Sequence, residues 1–148
     1  RCTVFDNHNA TAYNLPMPRA ANITAHHGTH HEDLPLVTGL CLAVGGDDDG
    51  FTAASRYARR CDGEWVHEVS IDMTDLVVRE VACDPASLLR NGGEYPGDSA
   101  RERAALVADG VDVLAFADEV TGHAHRTLRL VSARALAAVT VIAAYDPA

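Results

Sequence analysis

The chain has 148 residues and a net charge of −9, with 12 basic residues, all Arg, against 21 Asp and Glu. That length suits one domain burying roughly 70% of its unfolded surface. A composition 47% hydrophobic and 22% charged excludes disorder and collagen-like repeats. No apolar run approaches the roughly 20 residues of a membrane helix. The acidity argues against a broad phosphate-binding surface. The absence of Lys removes Schiff-base, P-loop and general-base lysine chemistry.

Cys2, Cys41, Cys61 and Cys83 form no CxxC pair. They read as buried free thiols rather than a zinc ribbon or a disulfide framework. Asn9-Ala10-Thr11 and Asn22-Ile23-Thr24 match the glycosylation triplet, with no other sign of secretion. The start at Arg1 reads as that of a processed product, a fragment or an excised domain.

Residues 1–22 read as an irregular N-terminal arm, and residues 23–148 as a single domain. Ile23 to His27 is extended and ends at Gly28. Glu32 to Thr38 has helical spacing, with Leu34 and Val37 on one face and Gly39 as its cap. Leu40 to Val44 is an apolar strand, followed by the acidic loop Gly45 to Gly50. Thr52 to Arg60 reads as a helix with Thr52 as N-cap and Ala54, Tyr57 and Ala58 on one face. Trp65 to Asp72 alternates as a strand, and Val77 to Ala82 reads as its partner.

Asp84-Pro85 is a helix start, with Asp at the N-cap and Pro in the first turn. After the loop Asn91 to Gly97, Asp98 or Ser99 caps an amphipathic helix, Ala100 to Ala108, closed by Gly110. Val111 to Phe116 is a strand ending at Asp118-Glu119, and Val120 to Ala124 a turn. His125 to Val131 is a strand, Ser132 caps one helical turn to Leu136, and Val139 to Ala143 is a final strand. The class is α+β, without a regular βαβ series or a G-x-G-x-x-G fingerprint.

Three strings carry possible chemistry. Ala25-His26-His27-Gly28-Thr29-His30-His31-Glu32 holds four His, the basis for a metal-dependent hydrolase reading that also draws on His123 and His125. Gly50 to Ala58 offers Tyr57 on a helix that otherwise packs as core. Phe116-Ala117-Asp118-Glu119 places two acids at a strand end. His123 and His125 read as loop residues, an acceptor feature or part of a metal site.

In order, these strings resemble the ADP-ribosyltransferase family, in its histidine–tyrosine–acid branch. The residues are His27-Gly28-Thr29, Gly39-Leu40, Thr52 to Ser55 before Tyr57-Ala58, and Val66 to Ile71. Val113 to Glu119, His125 to Val131 and Ser132 to Leu136 look like the last strands of small bacterial and phage members, including anti-CRISPR ADP-ribosyltransferases. The likeness spans about residues 23–143. It departs near Arg126-Thr127, where polymerase-type members carry the acid, so Asp118 or Glu119 supplies it here.

The resemblance implies a split β-sheet core with short flanking helices, NAD as the co-substrate, and transfer of ADP-ribose with release of nicotinamide. It implies Asp118, then Glu119, as the acid beside a cationic ribose. Tyr57 would stack on nicotinamide, and His27 would bond the adenosine ribose. Gly28 would admit the carboxamide to the backbone, with Thr29 in support. Thr52 belongs to the same NAD set, and Arg56 or Arg19 faces the pyrophosphate. His26 replaces His27 if the strand register is shifted by one.

The acceptor expected is a protein rather than nucleic acid, with no membrane partner and a monomer or small oligomer in a bacterial cytoplasm, as a toxin or phage-encoded factor. Water as acceptor would make it an NAD glycohydrolase. The alternatives are the metal-dependent hydrolase on His26 to His31, or a catalytically inactive binding module of the same fold.

Overall fold

The structure, a computed structural model, describes residues 21–147, apart from the side chains of residues 89–91. The arm up to residue 20, with Arg19, Cys2 and Asn9, lies outside the described residues. The chain folds as β1 (Asn22–Thr29), β2 (Cys41–Val44), α1 (Phe51–Arg60), β3 (Trp65–Asp72) and β4 (Val78–Glu80). There follow α2 (Pro85–Asn91), α3 (Ala100–Ala108), β5 (Val113–Val120), β6 (His123–Leu130), α4 (Ala133–Ala137) and β7 (Val139–Tyr145). The α+β class holds, as one seven-stranded sheet in the order β4-β5-β6-β2-β1-β3-β7.

All neighbours are antiparallel except β4 and β5, which run parallel. The strands alternate faces and so make two cores. Ile23, Leu42, Val44, Val69, Ile71, Val113, Leu128 and Leu130 bury one face. On the other, Leu114, Phe116 and Val131 pack with Leu88 of α2, and Val66 packs with Ala54 and Ala58 of α1.

The two halves of the sheet meet at a narrow junction. β1 and β2 share the single register pair His26–Ala43, whereas β1 pairs with β3 along its whole length from Asn22 to Thr29. α1 lies over this junction, packing chiefly on β1. Gly28 makes the approach possible: a Cβ there would stand 1.9 Å from the Ala54 carbonyl oxygen and 2.8 Å from the Ala58 nitrogen.

Several expectations are corrected. No helix forms at Glu32 to Thr38. Pro35 falls in its middle and supplies no N–H, and Leu36 and Val37 stay exposed. Helix α1 is capped by Gly50 rather than Thr52, whose N–H donates to Asp48 at 3.1 Å. β4 joins β5 at the far edge instead of pairing with β3.

β5 runs on to Val120, so Asp118 and Glu119 lie within a strand. The turn is only Thr121-Gly122, both with positive φ (46° and 77°), as a two-residue hairpin requires. Helix α3 buries none of its residues. The described cysteines are all free, but Cys61 is exposed. The caps Asp84 and Ser132 form as expected, accepting from Ser87 and Ala135.

A buried carboxylate anchors the β4 edge. Buried Asp112 accepts from the Val77 N–H at 2.8 Å, the Ser132 hydroxyl at 2.7 Å and Arg134 at 2.8 Å. The Arg134 hydrogen bond leads the causes that hold its carboxyl down at about 2.

Two outcomes are expected in urea unfolding. Gly28→Ala should lose about 1–3 kcal/mol, because helix and strand backbones must separate. Asp112→Ala should lose about 2–3 kcal/mol, because buried donors are left without an acceptor. Unchanged midpoints would contradict both packing arguments.

Candidate active site

Antiparallel pairing of β5 and β6 sets Asp118 opposite His125, Phe116 opposite Thr127, and Leu114 opposite Arg129. β2 continues two of these rows, with Ala43 opposite Thr127 and Cys41 opposite Arg129. β1 adds His26 opposite Ala43. Because strand side chains alternate, Asp118, Thr127, Arg129 and His26 share one face. Tyr57 and Ala54 of α1 and Tyr95 from the loop after α2 close over it, leaving a cavity of about 290 Å³.

Asp118 lies at the wall of this cavity and is buried. Its Oδ2 accepts from the Tyr57 hydroxyl at 2.7 Å and the Thr127 hydroxyl at 3.1 Å. Its Oδ1 accepts from the Glu119 N–H at 2.7 Å. A carboxylate among these fixed donors is held in one orientation. Burial and the neighbouring Asp118 raise the phenols of Tyr57 and Tyr95, so both remain hydroxyl donors.

His125 packs edge-on against the Tyr57 ring, with centroids 5.8 Å apart. Its Nδ1–H donates to the His123 carbonyl at 3.2 Å, which turns Nε2 toward Asp118 Oδ2 at 3.6 Å. That Nε2 is buried and makes no hydrogen bond. Burial holds the His125 pKa below its usual value, against the pull of Asp118.

Both histidines of the β1 string border the cavity. His26 shares the face of Gly28, and its Nδ1–H donates to the Asp49 carbonyl at 2.8 Å. His27 points the other way along the strand but sits where β1 and β2 part. Its Nδ1–H donates to the Cys41 carbonyl at 2.6 Å, leaving Nε2 as an acceptor. Burial lowers the His27 pKa as well.

His27, Gly28, Tyr57 and Asp118 are thus brought together around one cavity. Four other expected residues are not. Glu119 follows Asp118 in the strand and so falls on the opposite face, outside the cavity lining. Thr29 accepts from the His31 N–H. Thr52 is bonded to Asp48. Arg56 donates to the Thr121 carbonyl at 2.8 Å, on the surface. Among the described residues, no three His, Cys, Asp or Glu side chains gather as metal ligands.

Sequence reading passed over Thr127, Arg129, Cys41 and Tyr95. The first two were signalled by the polar series His125, Thr127, Arg129 set against Leu128 and Leu130. Arg129 is buried: Nη1 donates to the Pro96 carbonyl at 2.7 Å, Nε to Cys41 Sγ at 3.1 Å, and Nη2 lies 3.5 Å from Asp98. Burial pushes the Cys41 thiol up, so it serves as a wall rather than a nucleophile. Tyr95 carried no motif and reaches the site by tertiary packing on Phe116.

Comparison of the chain with protein-family models, with curated proteins and with solved structures finds no match. Among the described residues, no helix is long and apolar enough to cross a membrane.

The depressed pKa values of His27 and His125 give a pH dependence of stability. The folded state resists protonating them, whereas the unfolded chain takes up protons near 6.5. Their contribution is therefore complete above pH 6.5 and lost as pH falls through the lower folded values. Melting temperature should drop between pH 7 and pH 5, and less steeply in His125→Gln. Equal slopes in the two proteins would remove His125 from this account.

Proposed function

We propose that the protein is an NAD-dependent ADP-ribosyltransferase. The observation that carries the reading is the 2.7 Å bond from Tyr57 to Asp118, at a cavity that His27 and Gly28 also border. The resemblance drawn from short sequence strings named these four residues, and they come from one helix and two strands far apart in the chain.

The donor set fits the chemistry. Breaking the nicotinamide–ribose bond sends its electron pair out with nicotinamide and leaves positive charge on the ribose. A fixed, buried carboxylate stabilises that charge strongly where water is scarce. Tyr57 offers a ring to a cationic aromatic, oriented by its own hydroxyl bond to Asp118. Phe116, Ala43 and Ala54 give the cavity apolar walls. His27 Nε2 would accept from a ribose hydroxyl. The incoming acceptor binds the ribose carbon and gives up its proton, and Asp118, the carboxylate that borders the cavity, is placed to take it.

In this reading the acid is Asp118, not Glu119, because only Asp118 borders the cavity. In this reading the narrow β1–β2 junction stands in for the split of the sheet, within one continuous seven-stranded sheet. A chain of net charge −9 favours a protein acceptor with a basic surface over nucleic acid. Dependence on NAD puts the reaction inside a cell.

Nicotinamide release from NAD, followed by chromatography, tests the reading. Asp118→Asn should lower the rate by about 100-fold or more, and Tyr57→Phe by about tenfold. Glu119→Gln should stay within about twofold, because its side chain lies on the other face. No release by the wild type, or full activity in Asp118→Asn, would overturn it.

A further inference from the structure

A second cavity of about 330 Å³ adjoins the first and shares His27, Cys41 and Arg129 with it. It opens where β1 and β2 part, and its far wall is formed by Gly39, Asp98 and Arg103. Two guanidinium groups converge there on one short loop. Arg103 Nη1 donates to the carbonyls of Gly97 at 3.0 Å and Asp98 at 2.6 Å. Arg129 donates to the Pro96 carbonyl and pairs with the Asp98 carboxylate.

Arg103 is held flat over Gly39, where a Cβ would come within 3.2 Å of its Cζ. Its Nε is buried and has no hydrogen-bond partner. A buried cationic N–H without an acceptor is costly, so the bonding of this guanidinium is incomplete within the protein. Asp98 is the one carboxylate lining this cavity, and its side chain is 52% exposed. With two Arg against one Asp, the groove is net positive in a strongly acidic protein. Planar guanidinium forks suit phosphate oxygens better than a point charge would.

We propose that this groove binds the diphosphate of a nucleoside-diphosphate ligand, with Arg103 and Arg129 as its donors. The ligand's identity rests on the NAD reading above: the nicotinamide riboside half occupies the first cavity and the diphosphate passes through the β1–β2 opening. The anion contacts the Arg103 guanidinium and competes with Asp98 for Arg129. Arg56, pinned to Thr121 on the surface, takes no part.

Calorimetric titration with ADP-ribose, with inorganic pyrophosphate as competitor, tests the groove separately from catalysis. The wild type should bind ADP-ribose, and pyrophosphate should displace it. Arg103→Gln should weaken binding about tenfold or more. Asp98→Asn should tighten it several-fold, a gain that damage to the fold cannot produce. Absence of wild-type binding, or affinities unchanged in both variants, overturns the groove. If ADP-ribose binds and responds to both variants while the wild type releases no nicotinamide, the groove stands and the transferase reading fails. If nicotinamide is released but neither variant alters affinity, the reverse holds.

Discussion

The parting of β1 from β2 after one shared pair is the constraint on which the site depends. Two strands that separate inside a sheet leave backbone groups without ladder partners, and such groups are costly when buried. The His27 ring answers one of them, the Cys41 carbonyl. The opening that results is where two cavities share a wall. A fully laddered β1–β2 pair would close that passage.

The electrostatic design follows from where positive charge is withheld. Asp118 is buried without an Arg partner, and hydroxyl and amide donors hold it instead. Asp112, equally buried, is held by Arg134. An ion-paired carboxylate has spent its charge on structure, whereas one held by neutral hydroxyls keeps charge to offer a cation. The two acids resemble each other in burial and differ in what remains unspent. Arg129 borders both cavities and Arg103 only the second, and the ion pair of Arg129 is with Asp98 rather than with Asp118.

Local signals in the sequence located most of the elements. The alternation of Trp65 to Ile71, the Asp84-Pro85 start and the Ser132 cap all act within a few residues, and each formed. What failed depended on distant partners or on one overlooked atom. The parallel pairing of Val78 with Val113 joins segments 35 positions apart, and no local pattern announces it. Pro35 is legible too, and its missing N–H overrides the helical spacing of Leu34 and Val37. Asp118 looked like the end of a strand because it is polar; it lies inside one because the hydroxyls of Tyr57 and Thr127 satisfy it. Its facing residues were visible as alternation in β6, but that the row formed a cavity wall depended on α1.

Gly28 sets a limit on how ligands can enter and leave. Strand and helix backbones touch there without intervening side chains, so the wall made by α1 cannot yield without breaking the fold. The opposite wall is Tyr95, half-buried on a loop that carries Gly92, Gly93 and Gly97. The cavity thus joins a wall fixed by backbone contact to one held by a single phenol, and the bond of that phenol to Asp118 ties the glycine-rich loop to the carboxylate.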